Sequence, residues 1–175
     1  MREVGKPQKK DSGWGWVISI AIAIVVAISI RTFVFEPIFV SGDSMLPTLQ
    51  SNQSLGVEKV SRYFSLPKQG EIVIVTDPDN NETLVKRVIG LPGDTIEIKN
   101  STVCINGQPL HEDYTSKDPY NDIKPLTVPA DSIFVMGDNR ANSKDSRFFG
   151  PVNKDAIIGH ALFVIWPLNE IHSVQ

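Results

Sequence analysis

The 175 residues are enough for one compact domain once an apolar N-terminal segment is set aside, and too few for two substantial ones. A net charge of −3 gives no concentrated basic surface of the kind that phosphate-backbone binding uses, which argues against nucleic acid as a partner. Cys104 is the only cysteine, so the chain can form neither an internal disulfide nor a multi-cysteine metal site, and its fold must rest on burial.

From Trp14 to Ile30 no residue carries a charge, and beyond Arg31 the apolar run continues through Phe35. With Arg31 snorkelling, 14–35 reaches the roughly 20 residues that a helix needs to span a bilayer core. Arg2, Lys6, Lys9 and Lys10 precede it against Glu3 and Asp11. That basic excess predicts a cytoplasmic N-terminus (1–13), a single-pass anchor (14–35) and an extracytoplasmic domain (36–175). A cleaved secretory signal fits less well, because the run exceeds an h-region and leads to Phe33-Val-Phe-Glu-Pro37 instead of a small-x-small site. A buried soluble helix fits less well too, for want of a polar stripe.

After Pro37 the pattern changes to short Val- and Ile-rich runs separated by Gly, Pro, Asn and Asp. Glu71–Thr76, the turn residues 77–81 and Thr83–Ile89 read as a hairpin that carries Lys86. Asp94–Ile98 and Thr102–Ile105 read as a second hairpin, and Asn106-Gly107 as a tight turn. Ser132–Met136 and Ile157–Trp166 supply later strands, while the polar stretch Gln108–Pro129 reads as a surface excursion without chemistry. The expected fold class is mostly β: one N-terminal transmembrane helix, then a compact barrel-like antiparallel domain whose closure would hide sheet edges.

Three places carry residues fit for chemistry. Ser44 lies in the turn Ser41-Gly-Asp-Ser-Met-Leu-Pro-Thr48, just after an apolar strand-like run, where a serine is exposed. Lys86 lies among apolar neighbours in Leu84-Val-Lys-Arg-Val-Ile89. A strand lysine is ordinarily solvated, but a buried one loses part of its affinity for a proton, as a lysine acting as base requires. The third place, Gly137-Asp-Asn-Arg-Ala-Asn-Ser-Lys-Asp-Ser-Arg147, interleaves charges with Asn and Ser, and its Asp145 and Arg147 can pair. His111, His160 and His172 are poorly placed for a Ser/His/acid triad, although spacing alone leaves that route open.

Taken together, the Ser41–Thr48 turn, Lys86-Arg-Val-Ile-Gly-Leu-Pro-Gly-Asp94 and Gly137–Arg147 resemble the type I signal peptidase family in its short Gram-positive form, with the motifs in order behind an anchor. The resemblance implies that Ser44 is the nucleophile and Lys86 the general base. It implies that Ser143 hydrogen-bonds the lysine, and that Asp145 and Arg147 form a supporting pair. Asp138, Asn139 and Arg140 look structural. Ile38, Val40, Met45, Leu84 and Val85 are expected to line shallow pockets for the substrate. The substrates implied are preproteins whose signal peptides end in small-x-small. The bilayer and the protein export machinery are implied as partners, and no metal or organic cofactor is implied. Some relatives carry a serine two positions before the nucleophile as a second oxyanion donor, but Gly42 stands there in this chain, which leaves only the Ser44 N–H assigned. The large insertion of longer relatives is expected to be absent.

Two other readings compete. A self-cleaving Ser/Lys repressor would need an N-terminal recognition domain where the apolar segment lies. A noncatalytic β domain tethered to the membrane explains the anchor and strands but not the three motifs in sequence.

Overall fold

The computed structural model describes residues 14–116 and 118–174. The basic residues ahead of Trp14, on which the expected orientation rests, lie outside them. Gly15–Phe33 form helix α1, which Val34 caps before the chain enters strand β1 at Phe35–Phe39. The apolar segment expected over 14–35 is therefore helical only to Phe33, and Phe35 already pairs with Glu58. Among the described residues no helix is long and apolar enough to cross a membrane. The 19 residues of α1 rise about 28 Å, close to a hydrocarbon core of about 30 Å, and Arg31 occupies the last turn. The large apolar side chains from Val17 to Ile30 are exposed all around the helix.

The remaining strands are β2 (Ser54–Glu58), β3 (Ile72–Thr76), β4 (Thr83–Gly90), β5 (Thr95–Lys99), β6 (Thr102–Ile105), β7 (Gln108–Pro109), β8 (Ile123–Thr127), β9 (Ser132–Met136), β10 (Val152–Asn153), β11 (Ile157–Trp166) and β12 (His172–Ser173), with the one-turn helix α2 at Ser146–Phe149. One antiparallel sheet runs β1-β2-β11-β3-β4-β9-β10, with β12 beside β11, and a smaller one runs β7-β6-β5-β8. The expected barrel is realised as a curled open sheet, since β1 and β10 end the path without pairing to each other. Register shifts in β11 at Ile157/Gly159, Ala161/Phe163 and Val164/Trp166 supply the bending, because each bulge adds twist to its strand.

The hairpin read from the sequence forms with Val73 opposite Lys86 and Ile74 opposite Val85. Its first strand is apolar on both faces because both faces are covered. Ile72 and Ile74 pack with Met45, Leu49, Leu55 and Val164, whereas Val73 and Val75 pack with Val88, Ile133, Val135 and Ile157. A third cluster of Ile89, Ile96, Ile98, Val103, Phe134 and Met136 joins the small sheet to the large one. Asn106 and Gly107 turn β6 into β7 with φ of 53° and 79°, as a tight turn with two left-handed residues requires.

The stretch Gln108–Pro129 departs from expectation. It contains β8, an edge strand paired only to β5, where Pro125 lacks a ladder donor without harm. It also sends Glu112 onto the buried guanidinium of Arg140 at 2.8 Å and lays the Tyr114 ring 4.0 Å from that of Arg87.

Candidate active site

Ser44 is set by its neighbours. Val40, Met45 and Leu49 all sink into the first core cluster, and Leu49 N–H donates to the Met45 carbonyl at 2.9 Å. Burying three apolar side chains on one side of the turn at about 1.5–3 kcal/mol each leaves the intervening Ser44 facing outward, half-buried. Gly42 holds φ at +85°, a backbone that a serine would adopt only under strain, and its N–H donates to Ser51 Oγ at 3.1 Å.

Lys86 comes to this turn from the middle of β4. Its Nζ lies 2.8 Å from Ser44 Oγ and 3.1 Å from the Val85 carbonyl, and only 2% of the residue is exposed. Burial pushes its pKa down to about 8; Asp145 pulls back the other way, and Arg147 opposes Asp145. A neutral amine at this distance accepts the Ser44 proton, whereas an ammonium donates to Ser44 Oγ.

The loop from Gly137 to Arg147 packs against the Ser44 turn from the side away from the cleft lining. Asp145 is fully buried and grips Arg147 in a two-point pair at 2.8 Å through each oxygen, while also accepting the Gly137 N–H at 3.0 Å. Gly137 has no room for a side chain, because a Cβ there would lie 2.3 Å from Ser143 Oγ and 2.4 Å from the Ser44 carbonyl oxygen. Ser143 thus sits beside the Ser44 backbone. Its hydroxyl is buried and has no hydrogen-bond partner among the described residues, so the expected bond to Lys86 is not formed.

Sequence reasoning passed over a second buried pair. Asp138 accepts from Arg87 Nε at 2.9 Å and Nη2 at 2.7 Å, and from Thr48 Oγ1 at 2.5 Å, which ties the Ser44 turn to the strand next to the lysine. The available signal was the Lys-Arg adjacency on β4, which must send one of two cations to each face of the sheet. The histidines are occupied elsewhere: His111 with Asp113, His160 with Glu71 and His172 with the Glu170 carbonyl. Among the described residues no three His, Cys, Asp or Glu side chains gather as a metal site.

A cleft of about 270 Å³ opens over Ser44 and Lys86 between β1 and the first half of β4. Ile38, Val40, Met45, Leu84 and Val85 all line it, together with Glu36, Phe39, Ser41 and Thr83. Among the described residues both flanking backbones have an unpaired side there. β1 pairs only with β2, and β9 pairs with β4 only from Arg87 onward.

The signal peptidase family, peptidase S26, matches residues 13–166. The chain is 46% identical over 150 residues to a signal peptidase I of Leptolyngbya laminosa, covering 81% of this chain and 74% of that protein. It is 43% identical over 157 residues to signal peptidase I P of Bacillus subtilis subsp. natto, covering 83% and 85%. A crystal structure of a signal peptidase I from Enterococcus faecalis V583 aligns at a TM-score of 0.50 and 36% identity, over 55% of this chain and 97% of that one. The matched span contains the turn and the strand that line the cleft and the loop that packs on the turn, and this chain belongs to the signal peptidase family, peptidase S26.

Proposed function

We propose that this chain is a membrane-anchored serine endopeptidase that removes signal peptides from exported preproteins after small-x-small sites through a Ser44/Lys86 dyad. The observation that carries the reading is the 2.8 Å contact between Lys86 Nζ and Ser44 Oγ at a site where burial lowers the lysine pKa to about 8. As Ser44 Oγ attacks the scissile carbonyl, neutral Lys86 takes its proton and then delivers it to the leaving amine, which releases the mature protein. Water then attacks the acyl-enzyme ester with Lys86 again as base, which frees the signal peptide and restores Ser44. The Ser44 N–H stabilises the oxyanion in both halves.

The substrate lies extended in the cleft and adds a strand to the free sides of β1 and β4, so that alternate side chains point into it. Ile38, Val40, Met45, Leu84 and Val85 divide about 270 Å³ into pockets for small residues. Asp145 and Arg147 hold the loop behind the lysine.

The anchor is α1, with its exposed apolar surface in lipid, Trp14 and Trp16 at one interface and Arg31 snorkelling to the other. Residues 1–13 face the cytoplasm, and the catalytic part, 36–175, faces outward near the export machinery. No cofactor takes part.

The test reconstitutes the full chain in lipid with a preprotein whose signal peptide ends in Ala-x-Ala. Folded Ser44→Ala and Lys86→Ala are both expected to lose cleavage while still binding peptide. Cleavage that survives in either one removes the dyad, and absence of cleavage in the unaltered chain favours a tethered binding domain.

A further inference from the structure

Both peptide units that flank Ser44 are held by a single residue of the Gly137–Arg147 loop. The backbone N–H of Asn139 donates to the Ser44 carbonyl at 3.0 Å, and Asn139 Nδ2 donates to the Asp43 carbonyl, also at 3.0 Å. A carbonyl partner can be met only by the NH2 end of the amide, which fixes how the side chain is turned. The Asp43–Ser44 bond is trans, and in a planar trans peptide the C=O and N–H point in opposite directions. A bond that fixes the Asp43 oxygen therefore fixes the aim of the Ser44 N–H on the far side of the same plane. Leu46 N–H, 3.2 Å from that oxygen, supplies its second partner.

Asn139 is itself held firmly. Its carbonyl accepts the Asn142 N–H at 3.0 Å, and the preceding Asp138 is locked by Arg87 and Thr48. We infer that Asn139 is a positioning residue whose side-chain amide aims the Ser44 N–H at the oxyanion of the tetrahedral intermediate. The inference rests on the reading of Ser44 as nucleophile. Asn139 touches none of the reacting atoms and does not titrate. Its contribution belongs in the turnover step, not in substrate binding or in the pH response.

The experiment compares Asn139→Ala and the neutral, near-isosteric Asn139→Leu with the unaltered full chain in lipid, with Ser44→Ala alongside. Removing an oxyanion donor outright lowers kcat by about 100- to 1000-fold, so a donor that is only misaimed is expected to lower it by roughly 10- to 100-fold. KM, the pH midpoint set by Lys86 and the thermal midpoint are expected to stay near their original values. A peptide aldehyde, which presents a tetrahedral oxyanion once Ser44 adds to it, is expected to bind more weakly by the same factor as kcat/KM falls. An uncleavable peptide is expected to bind as before. Full kcat in Asn139→Ala, with Ser44→Ala inactive, overturns the role of Asn139 alone. A loss matched by a lower thermal midpoint, or by a moved pH midpoint, overturns it in favour of folding or of the lysine. Cleavage that survives Ser44→Ala overturns the nucleophile reading beneath it.

Discussion

Lys86 is the residue on which the chemistry and the stability of this chain pull in opposite directions. Its ordinary pKa of 10.5 falls to about 8 because burial disfavours the charged form. Only the neutral amine can take the Ser44 proton, so kcat/KM is expected to rise about tenfold per pH unit below 8 and to level off above it, read with a peptide substrate at constant ionic strength. A flat profile between pH 6 and 9 would remove Lys86 as base. The same depression has a thermodynamic consequence. Between about pH 8 and 10.5 the unfolded chain holds a proton on Lys86 that the folded chain has lost, so stability rises with pH across that window. Below pH 8 both states are charged, and the folded one bears the whole burial penalty, of order 3 kcal/mol. Lys86→Met keeps the volume and removes the charge. It is expected to abolish cleavage, to raise the thermal midpoint at pH 7, and to lose most of that advantage by pH 10, which thermal melts at several pH values would read directly.

Ser44 keeps its place through a turn, a strand and a loop, and the buried Asp138–Arg87 pair with its Thr48 contact ties all three. Asp138 on the loop grips Arg87 on β4 and Thr48 on the turn, and its contacts with Arg87 are buried. Asp138→Asn preserves the shape but leaves the Arg87 guanidinium buried without its counter-charge. Breaking such a pair destabilises by about 3–5 kcal/mol. A fall in thermal midpoint of about 10 °C is expected, with cleavage lost in proportion to unfolding at working temperature. A change of less than 1 kcal/mol would mean that the Asp138–Arg87 pair does not hold the turn. The pair also marks what could be read beforehand. The β3–β4 hairpin was legible because an apolar run, a turn of Asp, Pro and Asn, and a second apolar run are local signals. β8 was not, since an exposed edge strand containing Lys124 and Pro125 has no alternation to display. Of the site, Ser44, Lys86 and the loop stood out through their combined motifs. The partners Arg87, Thr48 and Glu112 did not, because nothing in a linear pattern says which of several carboxylates a buried arginine will meet 28 or 51 residues away.

The molecule as a whole joins an apolar helix to a curled sheet through very few residues. Val34 caps α1, Phe35 begins β1, and the Val34 carbonyl accepts the Lys59 N–H at 3.0 Å. The cleft begins at Glu36, and no described side chain of α1 lines it. On the proposed function, helix and cleft make separable contributions: one sets where the enzyme is, the other what it cuts. Confining enzyme and preprotein to one bilayer surface raises their effective concentration, a gain of about 100- to 10,000-fold for linked sites that can engage together. A chain beginning at Phe35 is thus expected to cleave a short soluble peptide within about twofold of the full chain. Its cleavage of a bilayer-inserted preprotein in vesicles is expected to fall by about 100-fold or more. An equal loss on both substrates would show that α1 props up β1 and the cleft wall. No loss on either would show that the sheet reaches its substrate without the helix, and would take the anchoring role away from α1.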